Sequence, residues 1–135
     1  MRTAIWPLQT ALYQRLSNDP ELTAILPGGI YDGKLPAGDV ALPYMIFGDD
    51  TVSDYSSKTF DGEEITKMIH VWSEYEGRKE AVNIMDIALQ SITASPLNVT
   101  GFTFDDCRRE FLEVFEDEDN YHGVMRLRFK ITKGG

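Results

Sequence analysis

The chain has 135 residues and a mass of 15.3 kDa, with 13 basic against 22 acidic side chains and a net charge of −9. Its 42% apolar and 26% charged residues mark a folding chain rather than a disordered one. The acidic balance excludes a protein that clamps a phosphate backbone, which needs a basic face. No apolar run approaches the ~18–20 residues of a membrane span, so no membrane partner is expected. The opening Met1–Pro7 lacks the pattern of a signal peptide. Cys107 is the lone cysteine, which fits a reducing compartment. One domain over 1–135, made in a cytoplasm, is the expectation.

Ile5, Leu8, Leu12 and Leu16 recur at helical spacing and predict an amphipathic helix over 3–17, with Thr3 as its cap and Pro7 in its first turn. Asp19–Leu26 follows as a short helix with Pro20 at its first position, ended by Pro27-Gly28-Gly29. Ile30–Asp32 reads as a brief edge strand and Pro43–Phe47 as a second strand. Residues 49–64 then hold Asp49, Asp50, Asp54, Asp61, Glu63 and Glu64 against Lys58 alone. More than half of the net charge sits there, and the run lacks a helical period. It reads as a long mobile loop or as the tip of an extended hairpin.

Residues 63–75 form a strand with Ile65, Ile69 and Val71 on one face and Met68, His70 and Trp72 on the other. Both faces carry large apolar groups, so the second must be covered by loops of the chain or by another subunit. Residues 78–93 form a third helix through Ala81, Met85, Ala88 and Ile92, stopped by Pro96. The last third is a hairpin turning near Glu118–Asn120. Met125, Leu127, Phe129 and Ile131 alternate there with Arg126, Arg128 and Lys130. The expected register sets Leu112 opposite Leu127, Val114 opposite Met125 and Glu113 opposite Arg126. This order of elements predicts an α+β fold, a mainly antiparallel sheet with two to three helices on one face.

Catalytic and cofactor patterns are missing. Cys107, His70 and His122 lie far apart in sequence and lack the spacing of a zinc site. His70 reads as a packed or interfacial histidine, His122 as a turn residue, and Cys107 as a small buried hydrophobe. No phosphate-cradling glycine loop or nucleophile elbow is present. The doublets Asp49-Asp50, Glu63-Glu64 and Asp105-Asp106 point to opposite sides of their strands and do not converge by themselves. No catalytic, metal or cofactor-binding residue is assigned.

Four segments carry a resemblance: Leu8–Leu16, Leu42–Glu64, His70–Ala81 and Tyr121–Phe129. Together they resemble the short tail-completion proteins of tailed bacteriophages, which are similar to the lambda-type tail terminator. The resemblance implies an α+β domain that assembles as a homo-hexameric ring. The ring caps the completed tail tube, contacting the tail tube protein, and docks onto the head-completion (stopper) protein of the filled capsid's connector. It implies no catalysis and no cofactor, with DNA passing through the lumen.

A closed ring needs two unlike complementary patches on each subunit. The acidic arm (Asp49, Asp50, Asp54, Asp61, with Lys58) and the basic strand face (Arg126, Arg128, Lys130) are candidates. Tyr55 and Phe60 are the arm's candidate apolar anchors, unless they tuck back onto their own domain. Trp72 marks the second face of its strand, and Tyr75, Arg78 and Lys79 form a second candidate patch. A ring held by mobile loops implies a monomer in isolation. The competing readings are a metal-dependent enzyme using the acidic doublets and an acidic DNA mimic that inhibits a nucleic-acid enzyme.

Overall fold

A computed structural model of the chain describes residues 1–133. The elements run α1 (Ile5–Ser17), α2 (Pro20–Ile25), β1 (Ile30–Asp32), β2 (Tyr44–Asp54), β3 (Asp61–Ser73), α3 (Lys79–Thr93), β4 (Thr103–Asp117) and β5 (Asn120–Lys133). The strands form one sheet in the order β1-β2-β3-β5-β4. β1 runs parallel to β2, and the other three pairings are antiparallel. The fold is α+β, as the element order implies.

The helices lie on one side of the sheet. Leu8, Leu12 and Leu16 of α1 and Ile84, Met85 and Ile92 of α3 are fully buried against Phe47, Ile65, Ile69, Met125, Leu127 and Phe129. Each such side chain contributes roughly 1.5–3 kcal/mol by leaving water. Helix ends are tied down by distant residues. Thr3 is not the N-cap of α1, because the helix begins one residue further on, after Ala4, but its Oγ1 accepts from the Ile5 amide at 3.3 Å. Glu63 Oε2, reaching from β3, accepts from the Ala4 amide at 3.0 Å and from Thr3 Oγ1 at 2.9 Å. An anion is thereby placed at the positive end of the helix. The last turn of α3 carries no base of its own. Arg15 of α1 supplies one, donating to the carbonyls of Ser91 at 2.7 Å, Ser95 at 3.1 Å and Pro96 at 3.2 Å.

Three local expectations are corrected. The acidic run is not a long loop: β2 continues to Asp54 and β3 starts at Asp61, so only 55–60 lies outside the strands, at the tip of an extended hairpin. In the last hairpin Leu112 faces Met125, Val114 faces Gly123 and Glu113 faces Val124. The turn is tighter than expected. Asp117 pairs with Asn120, leaving Glu118 and Asp119 alone at the bend. Glu118 adopts a φ of 57°, a position that glycine usually fills in two-residue hairpins. The slip near the turn is two residues, so Leu112, Glu113 and Val114 keep their expected faces. For the same reason His122 lies within β5 rather than in the turn.

Candidate functional site

Lys67 sits between Ile65 and Ile69 on the helix side of β3 and is fully buried. Its Nζ lies 2.8 Å from Asp50 Oδ1, 2.8 Å from Gln9 Oε1 and 5.3 Å from the centre of the Phe47 ring. A buried cation requires this kind of company. Asp50, read as an exposed arm residue, is therefore a partner of the core. The ladder shifts register between Phe47 and Asp50, which turns Asp50 towards Lys67.

The rest of the acidic arm is partly spent within the chain as well. Glu63 holds α1 as described, and Glu64 pairs with Arg128. Arg128 also binds Glu110 at 2.8 Å, and Arg126 binds the same carboxylate at 2.9 Å. The arm and the basic strand face are thus neighbours in one sheet that partly neutralise each other, while Asp49, Asp54, Lys58 and Asp61 remain exposed. Tyr55 and Phe60 pack on each other at 5.6 Å between ring centres. Gly62 makes this possible, since a Cβ there would lie 2.7 Å from the Tyr55 ring. Lys130 Nζ covers the Tyr55 ring at 5.2 Å. Both anchors therefore tuck onto their own chain and are half-buried.

The side of the sheet away from the helices carries a cluster of apolar and aromatic groups. Alternation sends Ile46 of β2, Met68, His70 and Trp72 of β3, His122 and Val124 of β5, and Phe111 and Phe115 of β4 to this side. Phe111 is 40% and Phe115 36% exposed. An apolar sheet face with two exposed phenylalanines is a candidate contact surface. His70 and His122, 52 positions apart in sequence, meet here with Nδ1 and Nε2 2.9 Å apart. Trp72 stacks on His122 at 3.8 Å. Sequence reading missed this cluster, whose signal was register alone: His122 faces Trp72 across the β3–β5 ladder. Among the described residues no third His, Cys, Asp or Glu joins the pair to make a metal-holding group.

Tyr75, Arg78 and Lys79 stand exposed at the corner from β3 into α3. Tyr75 and Lys79 border a shallow cavity of about 210 Å³ with Ile25 and Ile84. Sequence reading also missed Trp6, 64% exposed, and Tyr13, 49% exposed. They flank a groove of about 220 Å³ between α1 and β1 floored by Phe47. Cys107 packs against the core, where burial, with Asp106 nearby, pushes its thiol up to about 12. It is unreactive at neutral pH.

The family model for tail completion protein gp17 matches residues 10–132. The chain belongs to this tail completion family. A relative of that name from Bacillus phage SPP1 is 35% identical over 99 residues, which is 72% of this chain and 73% of the relative. The solved structure of SPP1 gp17 superposes with a TM-score of 0.64 at 30% identity, covering 90% of this chain and 86% of that one. A chain in the virion of a native gene transfer agent particle superposes with a TM-score of 0.87 over 98% of this chain and 99% of that one. At 22% identity, this second likeness speaks to the fold. As a tail completion protein the chain is a phage structural protein. Asp50 turns to Lys67, Glu63 to α1 and Glu64 to Arg128, so they assemble no shared site.

Proposed function

We propose that the protein assembles with copies of itself into a closed hexameric ring that caps the completed tail tube. The ring then joins the tail to the stopper protein of the connector on the DNA-filled capsid. The observation that carries this reading is the family match over 10–132. The protein acts by contact alone, without catalysis or cofactor, at the head-to-tail interface of the virion. It is made and assembled in the bacterial cytoplasm as one domain.

The unlike surfaces of a subunit support a ring. One is the helix-free sheet face bearing Trp72, with Arg126 and Arg128 along it. The other is the hairpin arm with Asp49, Asp54, Tyr55, Lys58, Phe60 and Asp61, and the Tyr75, Arg78 and Lys79 corner is a further contact. Heterologous closure joins two such different patches around an axis. The acidic arm facing the lumen or a neighbour would leave DNA free to slide through, because like charge repels the phosphate backbone. In dilute solution the protein is mainly a monomer, since ordering a mobile segment on association costs free energy. That segment is the outer part of the 49–64 arm, because Asp50, Glu63 and Glu64 already have partners in the fold.

The test is electron microscopy of a lysate of the carrying phage with this gene silenced. DNA-filled heads beside unattached tails of uneven length are expected. Normal joined virions would overturn the reading.

A further inference from the structure

The histidine pair on the helix-free face is held more tightly than a surface contact requires. A 2.9 Å approach between His70 Nδ1 and His122 Nε2 needs a hydrogen on one nitrogen and a lone pair on the other. Trp72 lies flat on the His122 ring at 3.8 Å and 15° between planes, and Phe115 leans on it with ring centres 5.0 Å apart. His70 is seated against Gly48. A Cβ at position 48 would come within 2.7 Å of its Nε2 and 2.8 Å of its Cδ2. The missing side chain on β2 is what lets this ring lie where it meets His122.

The geometry points to a proton-operated latch: the His70–His122 contact stays closed while either ring is neutral and opens when both are protonated, releasing the Trp72–His122–Phe115 stack. The proton count sets this order. A neutral pair shares one hydrogen. A singly protonated pair keeps the bond, now charge-assisted. A doubly protonated pair has donors on both sides, no acceptor, and two like charges in contact. The pair therefore titrates in two separate steps that belong to it jointly, and only the second breaks the contact.

The surroundings of the two rings are mixed. Burial is the largest influence on each and holds both below the ordinary 6.5. On β2, Asp49 favours the charged form of His70. On β4, Asp117 favours that of His122, and Glu113 lies opposite Val124 on the same face. On β5, the next base along the face is Arg126, held by Glu110 at 2.9 Å. Tyr44 of β2, opposite Trp72, is raised above its ordinary value by burial and stays neutral throughout. Acids around the pair soften the first step, but none of them supplies an acceptor between the two rings.

That opening the latch weakens assembly rests on the proposed ring, in which this face is a subunit contact. The latch itself is tested on the isolated chain. Nuclear magnetic resonance of both imidazoles is recorded from about pH 8 to 4, the range over which histidine titrates. Trp72 emission is followed in parallel after Trp6→Phe, a change at an exposed position. Two separated steps below 6.5 are expected, with Trp72 emission changing in the second. His122→Gln keeps an amide to bond His70 but removes one proton site, so a single step and a flat Trp72 signal are expected. Two independent titrations at the ordinary value overturn the latch, as does a Trp72 transition that survives in His122→Gln. If that variant fails to fold, the two imidazole titrations of the unaltered chain decide alone. A latch that opens while assembled rings persist at the same pH would overturn only the role of this face in assembly.

Discussion

Lys67 is the residue least like its surroundings, a charge in the middle of an apolar face. Its ammonium is neutralised by Asp50 and hydrogen-bonded to Gln9, so removing one partner strands the other. Lys67→Met is expected to lower stability by about 3–5 kcal/mol, the usual cost of breaking a buried pair from one side. Urea denaturation measures it, and the double variant Lys67→Met, Asp50→Leu should recover most of the loss. A double variant no better than the single one would show that Lys67 acts through packing rather than charge. This trio was illegible in the sequence. A lysine between Ile65 and Ile69 on one face of a strand gives no sign that a bulge at Phe47/Asp50 will aim an aspartate at it. The acidic run was legible as a charge anomaly, but not which of its carboxylates were already bound.

At the level of elements, a single side chain ties two helices together by hydrogen bonds. Arg15 closes the carboxyl end of α3 with several hydrogen bonds to carbonyl oxygens. Arg15→Ala should cost about 1.5–3 kcal/mol, the worth of bonds made by a charged donor, and thermal unfolding would register it. The β2–β3 hairpin predicts a graded pattern of amide exchange in the isolated chain. Amides of β3 paired with β5 should be slow, and those of 55–60 fast. Uniform protection through the tip would show that assembly has nothing left to order there. The helices were readable because their apolar spacing is long and regular: Leu8, Leu12 and Leu16 allow one answer. The last hairpin was readable in its faces but not its register, because a bend at Glu118 uses no glycine to announce itself. The Trp6–Tyr13 groove was hidden because it needs β1 beside α1, a juxtaposition that helical spacing does not encode.

For the whole molecule, pH is the lever that the histidines expose. Both are held below 6.5 in the folded chain and regain the ordinary value on unfolding. Below about pH 6.5 the unfolded state therefore binds more protons, and stability falls as pH drops towards the folded-state values. Above 6.5 this contribution is fully present. Chemical denaturation at a series of pH values should show the slope, reduced in His122→Gln. Sedimentation of a dilute sample should report a species near 15.3 kDa. A stable larger species would overturn the reading of a monomer in isolation.

β4 is fifteen residues long and pairs only with β5. Such a strand invites identical chains to stack without end. Here the invitation is withdrawn by two breaks in its ladder, at Phe104/Asp106 and Arg109/Phe111, and by charges along its length, among them Asp105, Arg108, Arg109 and Glu116. This irregular border gives identical copies at high concentration no template on which to solidify. Regularise and discharge the border, and a concentrated solution of the chain would turn to fibre.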